Sequence, residues 1–462
     1  MSVAAALSQM QSNARDGKRP FSAYPTYRPS GVACIETVPS HWAIRKVAHT
    51  FRTIGSGTTP ASQSEEYYGG DVPWVTTSEL RESIILDTTS KLTGRALKEH
   101  SALRLYPPGT LLFAMYGATI GRLGILGVSA TVNQACCALG DSSYIEPQFA
   151  YYWLQMRRPV LIAWATGGGQ PNLSQDDLRE VRIPTPPLNE QRAIATFLDR
   201  ETARIDALIA KKQRLIELLQ EKRTALISHV VTKGLNADVL MKETHIAWIG
   251  RIPTHWTVLP LKRLSTRVDV GIAEAATHAY CDDGVPIIRS TNVCPNRIDT
   301  SDLLHIENWF AEKNHSKYLQ AGDLVTVRTG YPGTTAVIPP QLHKSQCFTL
   351  VMTTIKNEHN PWFFSYFLNS HSGVTTFERE GWGSAQTNIS VPIVAEALVV
   401  APPRSEQDRI VDELSNCCRR YETLVDAVVD AIERLSEYRS ALISAAVTGK
   451  IDVRSGCRGG VA

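Results

Sequence analysis

One passage of this chain returns almost word for word. Pro186-Pro187-Leu188-Asn189-Glu190-Gln191 is echoed by Pro402-Pro403-Arg404-Ser405-Glu406-Gln407, an offset of 216 residues. Ala225-Leu226-Ile227-Ser228 recurs at the same offset as Ala441-Leu442-Ile443-Ser444, and Val231-Thr232 as Val447-Thr448. Pro39-Ser40-His41-Trp42 is echoed by Pro253-Thr254-His255-Trp256. A chain that repeats one unit twice must fold as two like bodies. A pseudo-twofold object of that kind suits a target that itself comes in two halves. Two long copies are too few for a solenoid.

Between these anchors the two copies keep a layout and change its text. Val72-Pro73-Trp74-Val75 pairs with Val285-Pro286-Ile287-Ile288, Gly109 with Gly322, Gly117 with Gly330, Gln134 with Gln346, and Asn172-Leu173-Ser174 with Asn388-Ile389-Ser390. Short β-prone runs (Val72 to Thr77, Thr110 to Tyr116, Gly124 to Val128) alternate with Gly and Pro turns, and Phe149 to Met156 reads as helix. The expected architecture is α/β: two domains in tandem, each followed by a long helix. Residues 27–188 form the first domain and 189–234 its helix. Residues 241–404 and 405–450 repeat the pair. Residues 1–26 and 451–462 are expected to be flexible tails.

Each long helix carries an apolar seam at a 3.5-residue period. The first seam is Ile194, Leu198, Ile205, Leu208, Leu215, Leu219 and Leu226. The second is Ile410, Leu414, Tyr421, Leu424, Val428, Leu435 and Leu442. Two matched seams in one chain are expected to pair with each other as an antiparallel coiled coil, rather than with a second copy. Gln191 to Leu226 would span roughly 54 Å at ~1.5 Å per residue.

Composition narrows the function by exclusion. Net charge is only +3, which neither demands nor forbids nucleic acid. No apolar run reaches membrane-spanning length, and Ser2 to Met10 lacks the pattern of a secretory signal, so a cytoplasmic location is expected. Nine cysteines without Cys-x-x-Cys spacing read as reduced thiols, and the twelve histidines show no metal-ligand spacing. Every Pro-Pro is preceded by Tyr, Thr, Ile or Ala, so the tetrad with which adenine methyltransferases grip a flipped base is missing. No Glu-x-Lys is present for a restriction-type nuclease, and neither Gly-Lys is followed by Ser or Thr. Gly167-Gly168-Gly169-Gln170 reads as a loop before a helix capped by Ser174, with Asp177 three residues on.

The duplicated Pro-Pro-x-x-Glu-Gln, Ala-Leu-Ile-Ser and Pro-x-His-Trp motifs resemble the specificity subunit of type I restriction–modification systems, over about Tyr27 to Val453. The resemblance implies two target recognition domains, each reading half of a split DNA sequence, with paired helices setting their separation. It implies double-stranded DNA, two methyltransferase subunits and restriction subunits as partners. S-adenosylmethionine, ATP and Mg²⁺ would sit on those partners, with no cofactor, metal or catalytic residue in this chain. Gly57-Thr58-Thr59-Pro60 nearly matches the family's Gly-x-Thr-Pro, whereas the second copy has Gly271-Ile272-Ala273-Glu274. A stand-alone methyltransferase or nuclease, and a coiled-coil interaction scaffold, are the alternatives. Missing motifs weigh against the first and two divergent domains against the second.

Base edges are read by forked or adaptable polar side chains near strand ends. The candidates in the first domain are Thr58, Thr59, Thr76, Thr77, Ser78, Arg81, Tyr116, Asn133, Gln134, Gln170 and Asn172. Those in the second are Arg289, Ser290, Thr291, Asn292, Arg328, Thr329, Tyr331, Gln346, Gln386 and Asn388. Thr76 against Arg289, Ala114 against Val327 and Met115 against Arg328 occupy matched places with different chemistry.

Overall fold

The computed structural model describes residues 21–32, 35–165, 172–274, 277–380 and 388–454. It divides into two compact units, residues 1–212 with 430–462, and residues 213–429. The division does not fall between the two sequence copies. Each unit takes one α/β domain, half of the first long helix (Leu188–Lys233) and half of the second (Arg404–Val447).

The first unit opens with the antiparallel hairpin Tyr27–Val32/Ile35–Pro39 and the pair Ala43–Lys46/Arg182–Thr185. A five-stranded sheet follows, in the order Thr53–Gly55, Cys136–Gly140, Leu111–Ala114, Leu123–Leu126 and Ser83–Ile85. Beside it Tyr68–Val75 pairs in parallel with Thr131–Val132. The second unit repeats these parts: the hairpin Met241–Glu243/Arg251–Pro253, the pair Thr257–Pro260/Leu398–Ala401 and a four-stranded antiparallel sheet. Its parallel pair is Val285–Ile288 with Gln346–Cys347. The helix expected at Phe149 to Met156 runs from Pro147 to Trp164, and Pro361–Leu368 is its counterpart. Ser174 caps Gln175–Glu180 with a capping box to Asp177. The Gly167–Gly169 loop lies outside the described residues.

The repeated motifs are the joints of this scaffold. In the first unit the Glu190 carboxylate accepts from Trp42 Nε1 (3.0 Å) and bonds His41 Nε2 (2.9 Å). Gln191 then ties the helix start to the domain. Its Oε1 accepts from Glu146 N (2.8 Å), and its Nε2 donates to Pro186 O (2.7 Å) and Tyr144 O (2.9 Å). In the second unit Glu406 holds Trp256 (3.0 Å) and His255 (2.8 Å), and Gln407 holds Asn360 N (2.7 Å) and Pro402 O (2.8 Å). So the two signatures recur together because each satisfies the other's buried polar groups.

The long helices pair antiparallel. In the first unit Arg439 bonds Asp206 (2.9 and 3.2 Å), and in the second Arg223 bonds Glu422 (3.1 Å). The expected seam is corrected at three positions, Leu208, Leu215 and Leu424. Ile194, Leu198, Ile205, Ile410, Leu414 and Leu442 are buried, and Leu219, Leu226, Tyr421, Val428 and Leu435 half-buried. Leu208, Leu215 and Leu424 are 40%, 43% and 52% exposed, while their neighbours Ile209, Ile216 and Val425 turn inward. Where two apolar residues are adjacent, steps of three and four fit the pattern equally, and packing decides.

The tails are shorter than expected. Tyr24 is 3% exposed, Phe21 packs edge-on against Phe197, and Ser22 bridges Asp452. Tyr27 Oη donates to Gly449 O (3.0 Å), and Ile451 and Val453 are buried. Residues 21–26 and 451–454 therefore pack on the first unit, with Tyr24, Ile451 and Val453 in its core and Phe21 against it.

Candidate nucleic-acid interface

In the first unit the ends of the parallel strands Tyr68–Val75 and Thr131–Val132 open side by side, in register Val75 to Val132. What leaves them forms one rim. Asn133 N donates to Val75 O (3.0 Å), and Gly57 N donates to Asn133 O (3.3 Å). Thr59 Oγ1 donates to Gln134 Oε1 (2.5 Å), and Trp74 Nε1 donates to Thr58 O (3.3 Å). Tyr116 Oη donates to Gln134 O (2.6 Å), and Tyr116 bridges Asn172. Burial pushes the Tyr116 phenol above its ordinary range, which keeps it a neutral donor. Thr76 opens the single turn Thr77–Glu79, shares a hydrogen bond with Ser78 (2.8 Å), and Arg81 Nε donates to Ser78 O (3.2 Å). Ten candidates, Thr58, Thr59, Thr76, Thr77, Ser78, Arg81, Tyr116, Asn133, Gln134 and Asn172, thus share one edge. Gln170 lies outside the described residues.

The second unit builds the same rim from different residues. Phe348 N donates to Ile288 O (2.9 Å), as Asn133 does to Val75, and Ile389 N donates to Arg328 O (3.0 Å), as Leu173 does to Met115. Ser290, Thr291, Thr329 and Asn388 are exposed on it, and Tyr331 is 85% exposed. Other candidates are spent internally. Asn292 is buried, with its side chain on Arg289 N, Asp299 O and Asp302 O. Gln346 is fully buried, its Nε2 donating to Ala311 O and Asn314 O (both 2.9 Å). Both are corrected from readers to supports. Arg289 is engaged with Asp302 (3.0 Å) and Arg328 Nε with Ile389 O (3.0 Å). Ala114, Val327 and Met115 lie in the core, so only the Thr76–Arg289 comparison concerns the rim. Gln386 lies outside the described residues.

Strand register also corrects the pairing of Gln134 with Gln346. Gln346 faces Ile287 as Thr131 faces Trp74, so the structural partner of Gln134 is Thr349, exposed and left-handed (φ +47°). Counting outward from Val72-Pro73-Trp74-Val75 and Val285-Pro286-Ile287-Ile288 to the paired strand would have found it. The glycine of the Gly57 and Gly271 segments does persist. A Cβ would stand 1.7 Å from Val132 O at Gly57 and 2.3 Å from Cys347 O at Gly271, so neither site admits a side chain.

Among the described residues no cluster could hold a metal ion, and no helix is long and apolar enough to cross a membrane. Cys136, Cys137 and Cys347 are buried. Burial pushes the thiols of Cys137 and Cys347 up to about 12, which removes them as nucleophiles.

Residues 39–218 match the family model described as the type I restriction modification DNA specificity domain. The type I restriction enzyme MjaIX specificity subunit of Methanocaldococcus jannaschii is 32% identical over 169 residues, 36% of this chain and 38% of that relative. The MjaVIII specificity subunit of the same organism is 21% identical over 430 residues, 90% of this chain and 95% of that one. A solved chain from work on complex assembly and conformational transition of the type I R-M system shares the fold. Its TM-score is 0.70 at 14% identity, covering 90% of this chain and 99% of that chain. Duplicated α/β domains on paired helices are the architecture this chain shares with that solved type I chain. The family match is thus to that domain over residues 39–218, and the likeness of the whole chain to the solved type I chain is one of fold.

Proposed function

We propose that this chain reads a bipartite, asymmetric DNA sequence, one half per rim, for a type I restriction–modification complex. The observation that carries this reading is the pair of equivalent rims bearing different side chains. Thr59, Gln134, Tyr116 and Arg81 line the first, where the second presents Thr349, Thr329 and Tyr331. Hydroxyls, amides and a guanidinium are the groups that distinguish base edges, each good bidentate pair contributing about 1–3 kcal/mol of discrimination. The chain itself is non-catalytic. It works in the cytoplasm with two adenine-N6 methyltransferase subunits and with restriction subunits, which bring S-adenosylmethionine, ATP and Mg²⁺. Replacing residues 44–185 by the same region of a relative, then mapping the methylated motif, tests the reading. One half of the motif should change and the other persist. Change in both halves, or methylation or cleavage by the purified chain alone, would refute it.

A further inference from the structure

Each rim is made of two turns from distant parts of the sequence, and one side chain of the scaffold helix holds both. In the first unit the turns are 76–82 and 115–122. Glu82 closes the first turn in the left-handed region (φ +58°), and its backbone N donates to Leu123 O (3.0 Å). Arg158, on the helix Pro147–Trp164, forms an ion pair with the Glu82 carboxylate and donates Nε to Gly121 O (2.7 Å). Tyr151 on the same helix donates to Glu82 O (3.1 Å).

The second unit reaches the same result with other atoms. Asn296 closes the turn 289–296, again left-handed (φ +64°), and its N donates to Thr335 O (3.0 Å). Asn369, the C-cap of the helix Pro361–Leu368, donates Nδ2 to Asn296 Oδ1 (3.0 Å) and to Thr335 O (2.7 Å). Its Oδ1 accepts from Thr335 N (3.1 Å), at the end of the turn that carries Thr329 and Tyr331. Ser365 donates to Asn296 Oδ1 (2.9 Å). A charged clamp in one unit and a neutral one in the other thus share a location but no residue type. Left-handed backbone is costly at Glu82 and readily adopted by asparagine at Asn296, so the two units reach the same turn geometry at matched places by different means.

We propose that Arg158 and Asn369 are positioning residues for sequence readout. Each fixes the two turns of its own rim against one another, so that half-site selectivity depends on a side chain standing behind the reading edge. The proposal rests on the reading of the rims as DNA readers. Its physical basis is that base-edge hydrogen bonds fail with displacements of about an ångström, and two unlinked turns would not hold that tolerance.

The test is to express the full chain with its methyltransferase subunits in a host without adenine methylation and to sequence the methylated motif. Wild-type protein should give two specified halves; absence of a bipartite motif would refute the functional reading itself. Arg158→Met should weaken discrimination about tenfold at the bases of one half and leave the other sharp. Asn369→Ala should do the converse. Glu82→Gly keeps the left-handed backbone but removes the clamp, so it should reproduce Arg158→Met even where that variant folds poorly. Asn296→Gly is its counterpart in the second unit. Glu82→Gln still accepts from Arg158 and should retain a sharp motif. Less methylation with both halves still sharp, or both halves relaxed together, would overturn the proposal.

Discussion

A few buried polar residues decide whether each unit holds together. Glu190 is 3% exposed and satisfies the indole of Trp42, itself fully buried. Glu190→Ala would leave that N–H without an acceptor, at a cost of about 1–3 kcal/mol. For a domain of this size that corresponds to a fall of about 2–4 °C in thermal midpoint per kcal/mol, read by calorimetry. Glu406→Ala should cost less. The Glu406 side chain is 23% exposed, so water can reach the gap. A larger effect at Glu406 than at Glu190 would contradict this account. The thiols give a second residue-scale expectation. Burial raises Cys136, Cys137 and Cys347, whereas Cys281 and Cys294 are half-exposed. Alkylation of the native chain, followed by mass spectrometry, should label Cys281 and Cys294 well before the three buried thiols.

At the scale of elements, the paired helices offer a comparison between neighbours. Ile209 packs on the first unit's core, while Leu208 beside it is exposed. Ile209→Asp should lower the thermal midpoint clearly. Leu208→Asp should leave the isolated chain within about 0.5 kcal/mol of wild type. Equal losses at the two positions would restore the seam as the sequence suggests it. The existence, length and partnership of the helices were legible because repeats and period are patterns along the chain. The choice between Leu208 and Ile209, Leu215 and Ile216, or Leu424 and Val425 was not, since both members of each pair are apolar and only the opposite helix distinguishes them. The rims follow the same division. Thr59, Gln134 and Tyr116 were legible as polar residues next to strand ends. Gln346 was misread because glutamine matched glutamine across the repeat, although strand register places it inside, under Ala311 and Asn314. The clamp of Asn369 rests on tertiary hydrogen bonds to Asn296 and Thr335, for which sequence spacing carries no signal, whereas the cap that Asn292 makes on Arg289 N is local, three residues apart.

For the whole molecule, the boundaries of the units carry an asymmetry that the sequence repeat conceals. The second unit is one continuous stretch, residues 213–429, with its own core from Val230 to Cys418. The first is discontinuous, and its core includes Leu442, Ile443, Ala445, Ala446, Val447, Ile451 and Val453 from the far end of the chain. Gly449 lies so close to Trp42 and Pro39 that a Cβ there would stand 2.4 Å from Pro39. Removing residues 430–462 deletes no residue of the first recognition domain, yet it strips five large aliphatic side chains from that core. At about 1.5–3 kcal/mol each, the loss is on the order of 10 kcal/mol, comparable to the entire stability of a domain. A fragment spanning 213–429 is therefore expected to be soluble and to unfold cooperatively, while 1–212 alone should not. Co-expressing 430–462 with 1–212 should restore a folded first unit, because the missing helix supplies apolar surface rather than a chain connection. Circular dichroism melts and limited proteolysis of the three preparations distinguish the outcomes. A cooperative melt from 1–212 alone would show that the first domain does not need the chain's far end, and would remove the physical reason for the docking of residues 21–26 against Asp452 and Gly449.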